Sequence, residues 1–288
     1  VNYAECGCTP MYHSVHKDSS PQFLTSTDQQ KVAKNFSRSV KARVRPLERA
    51  LNGYFRRYAR SKVTDLRRKG VIRMFAGGSV AKFSVQKALT PEEEEEFIEL
   101  IMRYGDLAKD EEAKKAVQEV DAEEDDIFPL IWPSSFYTAK RRMFADTLRK
   151  LDFKADQAIR DILSSSTQET IRPTATELTR RISGALTGPT GVFSPAEASR
   201  IANTEIPSFK NFGKHEVYKK AGVQRLRWAS IIDERTRPAR ERNPRANHIT
   251  MNGRETPLGV PFDMDVSGAK MFYPGDPSGP PFEVINCR

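Results

Sequence analysis

Residues 31–58 read KVAKNFSRSVKARVRPLERALNGYFRRY, and this stretch has a clear helical pattern. Its apolar side chains recur every three to four residues, at Val32, Phe36, Val40, Val44, Leu47, Leu51, Phe55 and Tyr58. That spacing is typical of an α-helix with one buried face. Pro46 has no backbone N–H to donate, so we expect a kink or break between the first four positions and the last four.

The same stretch has a second, basic face. Its cations also recur every three to four residues, at Lys31, Lys34, Arg38, Lys41, Arg45 and Arg49. Side chains at that spacing share one side of a helix. Two interpretations remain open: a solvated helix surface, or a contact site for DNA or an acidic partner.

Charge is divided into blocks along the 288 residues. The net charge of +9 combines +13 over residues 1–90, −12 over residues 91–126 and +8 over the remainder. Such blocks indicate interaction surfaces. The acidic block could contact a basic partner or fold back onto the positive block.

Cysteine content and hydropathy restrict the class of protein. Cys6 and Cys8 are too close to staple a fold, and Cys287 makes the number odd, so we expect a reducing compartment and no disulfide scaffold. Together with His13 and His16 the first two could bind zinc, although their spacing is tighter than that of structural zinc sites.

No apolar run is long enough for a membrane span, so no membrane contact is expected. The start of the chain lacks the basic and apolar regions of a signal peptide.

Helix boundaries can be predicted from capping boxes, in which a hydroxyl residue is followed three positions later by Glu. The pattern occurs at Thr90–Glu93, Thr174–Glu177 and Ser194–Glu197. We expect the first of these helices to end at Gly105. A long helix is expected from Ser135 to Ser164-Ser165-Ser166. The glutamates from Glu92 to Glu96 are explained by capping and solvation.

The C-terminal part differs from the helical part in having strand and turn signals. A strand is expected from Val223 to Ile232, and Asn252-Gly253 is a hairpin-type turn signal. The fold class is therefore predicted as α+β, with a mainly helical N-terminal region and a small mixed α+β C-terminal domain of loop-rich strands. The predicted segments are an extended arm over residues 1–30, a helical partner-binding region over 31–165 and the C-terminal domain over 166–288.

No enzyme signature is recognisable. Phosphate-loop, dinucleotide-binding, nucleophile-elbow and zinc-protease motifs are all missing from the sequence. One cluster combines an acid, arginines and a histidine: Asp233, Glu234, Arg235, Thr236, Arg237 and His248. It could form a metal-independent or metal-assisted nuclease or transferase site using Asp233, Glu234, Arg235 and His248. The alternative, which we favour, is that these side chains hold irregular loops together.

An ordered succession of short blocks over about residues 175–288 carries a family resemblance. The blocks are Ala198-x-Arg200-Ile201-Ala202-x-Thr204-Glu205, Gly222-Val223, Trp228, Asp233-Glu234-Arg235-Thr236-Arg237, His248, Asn252-Gly253, Pro261-Phe262, Pro274-Gly275-Asp276-Pro277 and Ile285-Asn286-Cys287-Arg288. They resemble the C-terminal domain of the phage Mu F-like minor head proteins, also called phage head morphogenesis proteins.

Many relatives have cysteines after the Arg-Thr pair and end in Asn-Cys-Arg-Cys. Here residues 238–247 contain no cysteine and the sequence stops at Arg288, so a metal site of that kind is not expected.

The resemblance implies a virion component of a tailed phage, in a family that is not known for a demonstrated catalytic activity. We therefore expect no enzyme, and no cofactor is expected. It would be a minor capsid protein present in multiple copies, in the head interior or at the portal vertex, after assembly in the host cytoplasm. Its implied partners are the portal protein, the major capsid protein and, non-specifically, packaged double-stranded DNA. Its implied role is head assembly and, in some members, DNA packaging or ejection.

Overall fold

The computed structural model describes residues 7–12, 26–77, 89–231 and 245–284. Within these ranges the chain is mainly helical. The helices are α1 (Ser26–Arg68), α2 (Val71–Ala76), α3 (Pro91–Glu119), α4 (Glu124–Ile127), α5 (Ser134–Ser166), α6 (Ala175–Thr187), α7 (Pro195–Lys220) and α8 (Pro281–Val284). The strands are β1 (Gly7–Tyr12), β2 (Arg225–Ile231), β3 (Glu255–Pro257), β4 (Phe262–Asp263) and β5 (Lys270–Met271).

The strands form two small antiparallel sheets. One has the order β1-β2-β3, and the other pairs β4 with β5. In the first sheet Gly7 stands opposite Ile231 and Tyr12 opposite Leu226. The predicted fold class is confirmed: helices dominate, and short antiparallel strands lie in the C-terminal part. The pairing of β1 with β2 was not expected from the sequence, because residues 1–30 show no strand period.

The predicted helix starts are confirmed. At α3 the Thr90 hydroxyl accepts a hydrogen bond from the Glu93 amide at 3.2 Å, and the Glu93 carboxylate accepts one from the Thr90 amide at 3.2 Å. This reciprocal pair satisfies two backbone donors at the helix end. The Thr174 hydroxyl caps α6 by accepting a hydrogen bond from the Glu177 amide at 3.2 Å, and α5 spans nearly the predicted range.

Of the kink or break predicted at Pro46, the break is excluded, because α1 continues through Pro46 as one helix. The predicted helix end at Gly105 is wrong, because α3 continues fourteen residues further to Glu119. Gly105 serves close packing instead: a Cβ atom at this position would lie 2.5 Å from the ring of Phe209 on α7. Gly213 on α7 approaches α3 equally closely, since its Cβ would lie 2.5 Å from the carbonyl oxygen of Lys109.

Backbone contacts divide the chain into two compact units. Unit 1 comprises Val1–Pro46, Ile101–Tyr137 and Arg200–Arg288. Unit 2 comprises Leu47–Leu100 and Thr138–Ser199. One boundary coincides with Pro46, although α1 does not end there. The three segments predicted from the sequence stay a prediction.

Each unit has its own apolar core. In unit 1 Trp228, Met251 and Met271 are fully buried and pack with side chains of α3, α7 and α8. A second aromatic group of unit 1 contains Trp132, Phe136, Phe209 and Phe212. The core of unit 2 is built on the aromatic group Tyr54, Phe55, Tyr58, Phe97 and Phe193. Of the eight apolar stripe positions in the quoted α1 stretch, the seven whose side chains are described are all buried. No helix in the described ranges is long and apolar enough to cross a membrane.

Candidate functional site

The histidine of the predicted cluster lies deep in unit 1. The His248 Nε2 atom is 2.7 Å from Oε2 of Glu283 on α8, and both side chains are fully buried. The imidazole ring lies 6.1 Å from the ring of Trp228 on β2, in an edge-on arrangement. The His248 carbonyl also accepts a hydrogen bond from the Ser230 hydroxyl at 2.7 Å. His248 therefore ties a loop, a strand and the last described helix together.

The Asn252-Gly253 turn closes against β2. The side-chain oxygen of Asn252 accepts a hydrogen bond from the Ser230 amide at 2.9 Å. Gly253 has a φ of 83°, which favours glycine. Its amide donates to the Trp228 carbonyl at 2.7 Å, while the Trp228 amide donates to the Arg254 carbonyl at 2.8 Å. The predicted turn thus leads the chain directly into β3.

The Pro274-Gly275-Asp276 block forms a tight loop on α7. The Asp276 carboxylate accepts hydrogen bonds from the amides of Phe272 at 2.8 Å and Ser278 at 2.9 Å. Asn211 of α7 donates to the Pro274 carbonyl at 2.9 Å, and the Ser208 hydroxyl donates to the Gly275 carbonyl. Asp276 is 95% buried in this loop, so its carboxylate acts as an internal cap.

The first block of the resemblance lies on α7 itself. Thr204 is buried and donates its hydroxyl proton to the Arg200 carbonyl at 2.8 Å. Glu205 is buried as well, and Arg200 is half-buried. These residues contribute to the enclosed side of the helix.

Other members of the predicted sites lie outside the described residues. They are Cys6, His13, His16, Asp233, Glu234, Arg235, Thr236, Arg237, Asn286 and Cys287. The structure therefore gives no geometry for His248 with Asp233, Glu234 or Arg235. Among the described residues there is no group of three or more Asp, Glu, His or Cys side chains arranged to hold a metal ion.

The basic face of α1 is exposed, as its spacing predicts. All six side chains are exposed: Lys31, Lys34, Arg38, Lys41, Arg45 and Arg49. In the part of the chain that the structure describes, none of them has an acidic partner. This face carries a continuous row of unneutralised positive charge.

The acidic block is partly neutralised within the chain. In unit 1 Glu111 pairs with Arg43 of α1. In unit 2 Glu96 pairs with Arg57 of α1 at 2.6 Å, and Glu94 with Arg149 of α5 at 2.8 Å. Folding back onto the positive block, one of the two open interpretations, accounts for Glu96 and Glu111, whereas the partner of Glu94 lies outside that block. The acidic residues of the stretch 121–126 are by contrast exposed.

A buried ionic cluster around Lys210 was not found from the sequence. The Lys210 ammonium is fully buried, 2.8 Å from the Ser39 hydroxyl, 3.2 Å from Glu111 and 3.3 Å from Glu112. Burial lowers the pKa of Lys210 and outweighs the opposing effect of the two carboxylates. Burial also acts against ionisation of Glu111, but hydrogen bonds from Arg43 and Lys115 and the charge of Lys210 prevail and lower its pKa to about 2. Its members come from α1, α3 and α7, so no local pattern in the sequence signals the cluster.

Taken together, Thr204, Asn252 and Asp276 form hydrogen bonds with the backbone, and His248 pairs with Glu283. The contacts of Asn252, Asp276 and His248 stabilise irregular loops. No protein-family model, curated protein or solved structure matches the chain.

Proposed function

We propose that the chain is a minor head protein of a tailed phage, acting in head assembly at or near the portal vertex. The observation that carries this proposal is the order and spacing of the blocks between Ala198 and Arg288, which resemble those of the Mu F-like minor head proteins. The described blocks come from α7, β2, the 248–253 loop and the 274–276 loop. From Arg200 onward they lie in unit 1, where α7 bonds to the 274–276 loop and β2 to the 248–253 loop.

A structural role suits these residues better than a catalytic one. His248 is enclosed and paired with Glu283, and Asp276 is occupied by two backbone amides. A general base needs access to the proton that it abstracts. Residues that hold loops in place are what an assembly module requires.

The charged surfaces suggest how such a module could contact its partners. The row of exposed cations on α1 could contact packaged DNA or an acidic surface of the portal protein. The exposed acidic stretch 121–126 could contact a basic surface. Opposite charges of this kind steer association between subunits.

The composition of purified heads tests the proposal. DNA-filled heads of the phage that encodes the chain would be analysed by quantitative mass spectrometry, beside particles assembled without the portal protein. We expect the chain at low copy number in the filled heads and its loss from the portal-free particles. Absence of the chain from filled heads would overturn the proposal.

A further inference from the structure

A half-open groove in unit 2 lies between α1 and α6. Its volume is about 560 Å³, and the apolar side chains at its floor are Ala59 and Val63. The rest of its lining consists of arginines and hydroxyl residues: Arg56, Arg60, Thr64, Arg67, Thr179, Ser183 and Thr187. No carboxylate and no aromatic ring is among the described residues that line it. The groove is therefore suited to an anion.

Within the described residues, no carboxylate neutralises the positive charge of this groove. Neighbouring arginines outside it do have carboxylate partners, as with Arg57 and Glu96 or Arg180 and Glu177. Arg56 and Arg60, in contrast, have no acidic partner within the described ranges. Both side chains are exposed and available to a ligand.

The third arginine, Arg67, is held in place by a neutral hydrogen-bond acceptor. Two nitrogen atoms of Arg67 lie 3.4 Å from the Thr179 hydroxyl oxygen. The hydroxyl proton of Thr179 is itself donated to the Ala175 carbonyl at 2.8 Å, which leaves the oxygen to accept from Arg67. A neutral acceptor thus holds the guanidinium at the groove and preserves its charge.

The distance between the first and the last arginine indicates how large an anion must be to contact all three. Arg56, Arg60 and Arg67 follow one side of α1, and a rise of 1.5 Å per residue separates the first and last Cα atoms by roughly 16 Å. One phosphate group cannot span that distance, whereas a chain of phosphates can contact all three positions. Guanidinium groups bind phosphate oxygens with two parallel hydrogen bonds.

We propose that this groove binds the sugar–phosphate backbone of a nucleic acid without reading its sequence. Without aromatic rings the described lining offers bases no aromatic stacking surface, and its three arginines extend over a length that a polyanion can contact throughout. The site is separate from the row of cations from Lys31 to Arg49, and the inference does not depend on the proposed role in phage heads.

Two charge-matched variants of the full chain test this inference. One variant carries Arg56→Gln, Arg60→Gln and Arg67→Gln. Its control carries Arg142→Gln, Arg160→Gln and Arg172→Gln, which removes three exposed arginines of the same unit that do not line the groove. Binding of a fluorescent duplex DNA of mixed sequence is followed by anisotropy over a salt series, and circular dichroism verifies that both variants fold.

The groove variant should lose affinity by roughly tenfold or more, and its salt slope should fall by about 2 to 3, because each phosphate contact contributes about 0.9 to that slope. The control should change affinity by less than about threefold. Unlabelled DNA of unrelated sequence, single-stranded DNA and duplex RNA should all compete, since they share the phosphodiester backbone. Equal losses in the two variants, or competition by polyglutamate as strong as that by DNA, would overturn the inference.

Discussion

Glu111 shows how a single carboxylate can be held ionised by its surroundings. Its side chain is about three-quarters buried and contacts Arg43, Lys115 and Lys210. Partial burial disfavours the charge, but the hydrogen bonds and the cations outweigh it and bring the pKa from 4.5 to about 2. A folded-state pKa below the unfolded one means that ionised Glu111 stabilises the fold above about pH 4.5 and that this stabilisation is lost as the pH falls towards 2.

Replacing this carboxylate by an amide should therefore have a pH-dependent cost. We expect Glu111→Gln to lower the free energy of unfolding by about 2 kcal/mol at neutral pH, because charge-assisted hydrogen bonds are lost. The difference from the original chain should shrink below about pH 4.5. Urea unfolding followed by circular dichroism over this pH range measures it. Glu99→Gln, an exposed position on the same helix without a described ion partner, should cost little at any pH. A pH-independent loss for Glu111→Gln would contradict this account.

At the scale of elements, helix starts are easier to predict than helix ends. Thr90 and Thr174 determine where α3 and α6 begin through hydrogen bonds to residues three positions later, and such local chemistry is readable in the sequence. Gly105 has the same local appearance as a stop signal, yet α3 continues because a neighbouring helix needs the space that a side chain would occupy. That requirement comes from Phe209, more than a hundred residues away, and no local pattern contains it.

Two helical glycines should respond in opposite ways to the same substitution. Gly105→Ala introduces a Cβ 2.5 Å from the Phe209 ring, which is enclosed by Trp132 and Phe136. Overpacking of this kind costs about 1 to 3 kcal/mol. Gly184→Ala in α6 meets no atom within 4 Å and should stabilise by about 0.5 to 1 kcal/mol through helix propensity. Urea midpoints of the two variants provide the measurement. Stabilisation by Gly105→Ala would show that α3 and α7 do not approach as described.

At the scale of the whole molecule, the sequence predicts local elements better than the contacts between distant parts of the chain. The burial of the α1 stripe and the Asn252-Gly253 turn could be predicted from spacing and residue type. The ionic cluster at Lys210 and the arginine groove could not, because each combines residues that are far apart in the chain. The pairing of β1 with β2 belongs to the same class, since its register is set by residues more than two hundred positions away.

The pairing of β1 with β2 can be tested by the hydrogen exchange of individual β2 amides. The Trp228 and Ser230 amides donate to Arg254 and Asn252, away from β1, so by strand alternation the Arg227 and Ala229 amides face β1. Pro10 fits this register, because it stands opposite Trp228, where β1 needs no donor towards β2. Deleting residues 1–12 should accelerate hydrogen exchange of the Arg227 and Ala229 amides by roughly tenfold, since a hydrogen bond contributes about 1 kcal/mol. The Trp228 and Ser230 amides provide the internal control in the same NMR spectra and should change less. If the deletion leaves the exchange rates of the Arg227 and Ala229 amides unchanged, β1 does not pair with β2 in solution.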